Sequence, residues 1–122
     1  MSKFKCIIIE DDPAFQTILK SLIGKIPELE ILDVFDNSVD AALFITRKKP
    51  DLLFLDVEIN GLSGLEVLDT LEIKPKTIVI SSDKKYQDEA SEMEVDAFMS
   101  KPIQGFDYFR KNVYDVLGIN PA

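Results

Sequence analysis

Five side chains in this sequence could do chemistry together. Glu10 and Asp11 are an adjacent acidic pair, Asp56 is a third carboxylate, Ser81 supplies a hydroxyl and Lys101 an ammonium. Three carboxylates in one small site repel one another unless a cation sits among them. The chain has no histidine and one cysteine, Cys6, so a ligand set built here is all oxygen. That selects a hard cation, Mg²⁺ first, which binds through a few carboxylates plus phosphate and keeps several waters. A hydroxyl and an ammonium opposite the acids suit an incoming phosphoryl group. Asp56 would then be the nucleophile, forming an aspartyl phosphate while the metal screens its charge.

The elements that must position these residues are apolar runs. Leu52-Leu53-Phe54-Leu55 has no polar face and ends on Asp56, which fits a strand covered on both sides. Lys5 to Ile9 is a second such run and leads into Glu10-Asp11-Asp12; Thr77 to Ile80 is a third and leads into Ser81. Ile31 to Phe35, interrupted by Asp33, reads as an edge strand, and Asp96 to Ser100 as a short last strand leading into Lys101-Pro102. Between the strands lie helical patterns. Asp12 caps a helix that opens on Pro13 and carries Phe15, Ile18, Leu19, Leu22, Ile23 and Ile26. Ser38 is placed to cap a second helix, with Val39, Ala42, Leu43 and Thr46 on one face. Leu65, Leu68 and Leu71 mark a third. Lys84 to Glu94, with only Tyr86, Ala90 and Met93 at helical spacing, marks a weakly anchored fourth. Phe106, Phe109, Val113, Val116 and Leu117, closed by Gly118, mark the fifth.

Five βα units in series, joined by right-handed crossovers, predict an α/β fold: a doubly wound, parallel, five-stranded sheet with helices on both faces. The solid runs belong at the centre and the interrupted and short ones at the edges, which the flavodoxin-like strand order 2-1-3-4-5 satisfies. Parallel strands put their carboxyl ends on one rim, so Glu10, Asp11, Asp56, Ser81 and Lys101 should converge at the switch between strands 1 and 3. Lys101–Pro102 is expected to be cis, turning the ammonium back over that rim at a tight corner.

Composition narrows the function classes. With 122 residues the chain is long enough for one full core. A net charge of −8 argues against direct nucleic-acid binding, which needs a basic surface. Cys6, inside an apolar run, reads as a small core residue, and a single cysteine fits a reducing compartment. The apolar runs are far too short for a membrane span or a signal peptide.

The chain resembles the receiver domain of two-component response regulators, with its CheY-like fold, over essentially its whole length. Glu10-Asp11 resembles the family's acidic pair after the first strand, and Asp56 its phosphorylated Asp. Val-Glu-Ile-Asn-Gly-Leu-Ser-Gly after Asp56 is similar to the family's glycine-punctuated loop. Ser81 matches the switch Ser/Thr and Lys101-Pro102 the Lys-Pro pair. Ile26-Pro-Glu-Leu-Glu, Phe35-Asp-Asn and Val95-Asp-Ala-Phe-Met-Ser-Lys-Pro-Ile further resemble receivers that precede LytTR-type DNA-binding domains.

This resemblance implies a phosphoacceptor in signal transduction rather than an enzyme with an external substrate: a single receiver domain over residues 1–122, stand-alone or the front of a longer regulator. A sensor histidine kinase or phosphotransfer protein would donate the phosphoryl group to Asp56, in a phosphorelay of the bacterial cytoplasm. Asp11, Asp56 and the backbone carbonyl of Glu58 would hold Mg²⁺, with Glu10 acting through water. Ser81 and Lys101 would bind phosphoryl oxygens. Phe98 stands at the aromatic switch position. Inward movement of Ser81 would make room for it and bias the face built by the fourth helix, fifth strand and fifth helix (α4-β5-α5), the expected surface for a homodimer or partner.

The sequence departs from the family pattern at two places: Asn60 stands where Pro is usual, and Phe98 lacks the hydroxyl of the common Tyr. Glu58 and Asp83 flank the attack line and bear on the lifetime of the phosphate. A haloacid-dehalogenase-type phosphatase also has a strand-end Asp with a carboxylate two residues on. It is disfavoured because the acidic pair here precedes the nucleophile and there is no room for a cap domain. A flavodoxin-type cofactor site is disfavoured because Glu10-Asp11-Asp12 would repel phosphate. The remaining alternative is a phosphorylation-independent protein-interaction module on the same fold.

Overall fold

The computed structural model describes residues 3–57, 64–83, 86–92 and 95–120. Its elements run β1 (Phe4–Ile9), α1 (Pro13–Gly24), β2 (Leu29–Phe35), α2 (Ser38–Lys48), β3 (Leu52–Asp56), α3 (Gly64–Asp69), β4 (Lys76–Ser81), α4 (Tyr86–Glu92), β5 (Ala97–Ser100) and α5 (Phe106–Leu117). All strand pairs are parallel and the sheet order is β2-β1-β3-β4-β5. The expected α/β fold, strand order and edge assignments hold.

Period-2 alternation divides the strands between two cores. Cys6 and Ile8 of β1, Leu52 and Phe54 of β3, Ile78 and Ile80 of β4 and Met99 of β5 face α1 and α5. There Phe54 and Phe109 stack at 5.5 Å. Ile7 and Ile9, Leu53 and Leu55, and Val79 face the other way and pack with Ala41 and Ile45 of α2, Leu68 and Leu71 at and after α3, and Ala90 of α4. Every residue of β3 is buried, as a central strand covered on both sides must be. Cys6 is fully buried, and burial, with the charge of Glu30 adding to it, pushes its thiol up to about 12. The core reading of Cys6 stands.

Local capping follows the sequence at α1: the Asp12 side chain accepts a hydrogen bond from the Ala14 N–H, and Pro13 occupies the first turn. At α2 the structure corrects the sequence reading twice. The cap is Asn37, whose Oδ1 accepts from the Asp40 N–H at 2.9 Å, while Ser38 is already inside the helix and fully buried. The buried face carries Ala41 and Ile45; Val39 and Leu43 point to solvent, 57% and 58% exposed. Two apolar stripes share this helix, and the larger residues on one suggested the wrong side. Ile18 of α1, expected in the core, is likewise 49% exposed, although Phe15, Leu19 and Ile23 are buried as expected. Helix α1 stops at Gly24, before Ile26 and Pro27, yet Ile26 is buried from the following turn. Strand β5 begins after Asp96, which instead ties into β4: its Oδ2 accepts from the Thr77 N–H at 2.8 Å and its own N–H donates to the Thr77 carbonyl. Met93 lies outside the described residues.

Candidate functional site

Strands β1, β3 and β4 deliver their carboxyl ends to one rim. Ile9 pairs with Leu55 and Asp56 with Ile80, so Glu10 leaves β1 beside Asp56, and Ser81 lies one residue past Asp56's partner on β4. Glu10, Asp56 and Ser81 are all buried, at 1%, 6% and 1% exposure, which is unusual for acids at a strand end. Carboxylate oxygens of Glu10, Asp11 and Asp56 lie within 4.8 Å of one another. The rim therefore brings together the three acids anticipated from sequence.

Lys101 supplies positive charge to this group. Its Nζ donates to Glu10 Oε1 at 2.6 Å and to Asp56 Oδ2 at 3.3 Å. The residue reaches the rim because β5 runs alongside β4, with Ser81 paired to Ser100, and because the Lys101 N–H donates to the Ser81 carbonyl at 2.9 Å. The Lys101–Pro102 peptide is cis, as expected. Burial works against the ammonium's charge. The hydrogen bond to Glu10 and the field of Asp56 outweigh that, so the Lys101 ammonium is held above its ordinary value. Glu10 is pushed above the ordinary carboxylate range, first by burial and then by its hydrogen bond with Asp56; Lys101 and the Asp12 N–H pull the other way.

The remaining predicted residues occupy defined places. The Ser81 hydroxyl accepts from the Asp83 N–H at 3.1 Å in a local turn. Phe98, half-buried, packs on the α2–α4 side of the sheet and pairs with Val79, two residues before Ser81. Ser81 and Phe98 therefore share one face of the sheet. Glu58, proposed to offer its carbonyl to a metal, and Asn60 lie outside the described residues. Two further contacts were not visible in the sequence. Gln16 Nε2 donates to the Glu10 carbonyl at 2.6 Å, and the ring of Phe15 lies 4.3 Å from Lys101 Nζ. Helical periodicity marks Phe15 only as a core position, since the partner comes from the other end of the chain.

The donor set fits a hard divalent cation. It is all oxygen, partly desolvated, and its charge is offset among the described contacts by one ammonium. Chemically, such an array can hold a nucleophilic carboxylate at Asp56 with a cation to one side and a hydrogen-bond donor to another.

The class of molecule set by this sheet and rim is a doubly wound α/β protein with its site outside the carboxyl ends of the strands. Comparison with known proteins sharpens that to a family. The family model of the response regulator receiver domain matches residues 6–112, and the chain belongs to that family. It is similar to protein MrkE of Klebsiella pneumoniae, 33% identical over 105 residues that cover 84% of this chain and 39% of MrkE. The solved response regulatory domain of that protein superposes with a TM-score of 0.81 at 30% identity, covering 92% of this chain and 97% of that one. A DNA-binding response regulator of the LuxR family from Staphylococcus aureus gives a TM-score of 0.84 at 28% identity, covering 93% and 98%. The chain spans well under half the length of the curated relatives it matches.

Proposed function

We propose that this chain is a phosphoacceptor switch: Asp56 takes a phosphoryl group from a phosphohistidine on a partner kinase or phosphotransfer protein. The observation that carries the reading is the buried Glu10–Lys101–Asp56 network, with Asp11 at its edge. An Asp56 carboxylate oxygen would form the new bond to phosphorus as the phosphorus–nitrogen bond breaks, and the partner imidazole would leave with that electron pair. Lys101, already 3.3 Å from Asp56 Oδ2, would follow the charge onto a phosphoryl oxygen. Ser81 would exchange its hydrogen bond with Asp83 for another phosphoryl oxygen. Mg²⁺ held by Asp11, Asp56 and the Glu58 carbonyl, with Glu10 behind it through water, would screen the charge that nucleophile and phosphoryl group bring together.

Movement of Ser81 would free space for Phe98 and repopulate the surface of α4, β5 and α5, the face we assign to self-association or partner binding. No helix among the described residues is long and apolar enough to cross a membrane. We place the chain in the bacterial cytoplasm as the receiver of a transcriptional regulator, a reading that its likeness to longer regulatory proteins supports. Incubation with a small phosphodonor and Mg²⁺, followed by intact mass, should show one added phosphoryl group on the parent chain and none on Asp56→Asn. Equal modification of the variant, or none of the parent, would overturn the assignment.

A further inference from the structure

The ammonium of Lys101 has a third neighbour besides the two carboxylates. The centroid of the Phe15 ring is 4.3 Å from Nζ, well inside the roughly 6 Å reach of a cation–π contact. The two other cation–ring contacts among the described residues, Lys25 and Arg110 with Phe106, are both 5.6 Å long. Phe15 itself is 7% exposed and is anchored in the α1–α5 core with Ile8 and Phe54. Lys101 keeps only 19% of its side chain exposed. An ammonium carries three N–H donors. Glu10 Oε1 and Asp56 Oδ2 engage two of them, and the Phe15 ring lies against the same nitrogen.

We propose that Phe15 is a positioning residue for Lys101: its ring face holds the ammonium between Glu10 and Asp56, so that the donor is aimed at the rim before a phosphoryl group arrives. The lysine stem is long and flexible, and two contacts on a terminal nitrogen leave it free to pivot. A rigid aromatic wall anchored in the core removes that freedom, and the ring's negative face offsets part of the ammonium's desolvation. Phe15 lies in the first turn of α1, whose position is set by the Asp12 cap and by Gln16 on the Glu10 carbonyl. The β1–α1 junction thus supplies both the acidic pair, just before the Asp12 cap, and, just after it, the wall for its counter-charge. The kinetic consequence rests on the phosphoacceptor reading of Asp56; the geometric claim does not.

The test uses two forms of the whole chain. Pentafluorophenylalanine at position 15 keeps the ring's shape and reverses its quadrupole, whereas Phe15→Leu removes the ring. In the metal-free protein, the ε-methylene resonance of ¹³C-labelled Lys101, assigned with Lys101→Met, should be displaced upfield by the ring. The displacement should shrink in the fluorinated form and vanish in Phe15→Leu. With a small phosphodonor at saturating Mg²⁺, both forms should take up the phosphoryl group about three- to tenfold more slowly, as expected for losing a desolvated cation–π contact. Mg²⁺ affinity should be unchanged. An undisplaced Lys101 resonance in the parent chain, or uptake by the fluorinated form at the parent rate, would overturn the proposal. A displaced resonance in a parent chain that takes up no phosphoryl group would support the positioning of Lys101 and sink the phosphoacceptor reading instead.

Discussion

Lys101→Met should make the stability of this protein depend steeply on pH, and the size of the effect can be bounded from the site. The substitution keeps an apolar stem of similar length and removes the ammonium that sits 2.6 Å from the buried carboxylate of Glu10. Breaking a buried ion pair from one side typically costs about 3–5 kcal/mol, because the remaining charge is left in low dielectric. Glu10 has an escape, which is to bind a proton. Its ordinary value is 4.5, so holding that proton at pH 7 in the folded state spans 2.5 pH units. At about 1.36 kcal/mol per unit the penalty is capped near 3 kcal/mol. At pH 5 the same cap falls to about 0.7 kcal/mol.

The direction follows from which state binds more protons. Glu10 is already raised in the folded parent chain and should rise further without Lys101. Between 4.5 and the raised value the folded state therefore holds more protons than the unfolded one. Its contribution to stability is full below 4.5 and is lost as pH rises through that window. Urea denaturation of parent and variant from pH 5 to pH 8, in buffer with a chelator to keep divalent cations away, reads the difference directly. Glu10→Gln combined with Lys101→Met should recover most of the loss at pH 7. A loss that is the same at pH 5 and pH 8, or no recovery in the double variant, would refute the claim that the ammonium compensates the buried Glu10.

Other expectations can be checked with the same stability assays. Ile45→Ser should destabilise by about 2–4 kcal/mol through loss of a buried aliphatic side chain and burial of a hydroxyl, whereas Leu43→Ser, on the exposed face of α2, should stay within about 0.5 kcal/mol. Phe109→Ala should cost about 3–5 kcal/mol, since it removes the ring stacked on Phe54 between α5 and the sheet; urea unfolding would show it as a lower midpoint. The Cys6 thiol, held at about 12, should resist alkylation at pH 8 in the native protein and react only as fast as the chain unfolds, so labelling well ahead of unfolding would contradict its burial. Its raised value also means that its contribution to stability is present below 9.0 and declines as pH rises toward 12.

How much of this was legible beforehand depends on the range of the interaction involved. Solid apolar runs ending at Ile9, Leu55 and Ile80 fit buried strands, and the βα repeat with right-handed crossovers is satisfied by the sheet order found. Strand order in turn carries Glu10, Asp11, Asp56, Ser81 and Lys101 to a common rim, because every parallel strand ends on the same side. The sequence by itself therefore determined the topology and the arrival of these five residues at one rim. It did not determine which stripe of α2 faces inward: Val39 and Leu43 are as apolar as Ala41 and Ile45, and the choice is made only where α2 packs on the sheet, with Ala41 and Ile45 against Ile7, Ile9, Leu53 and Leu55. Nor did it determine the charge balance of the rim. That Lys101 pairs more closely with Glu10 than with Asp56, and leans on the ring of Phe15, depends on where α1 lies against the end of β5. Those residues come from opposite ends of the chain, and contacts of that kind leave no periodicity in either segment; they are fixed only when the core between α1, α5 and the sheet closes.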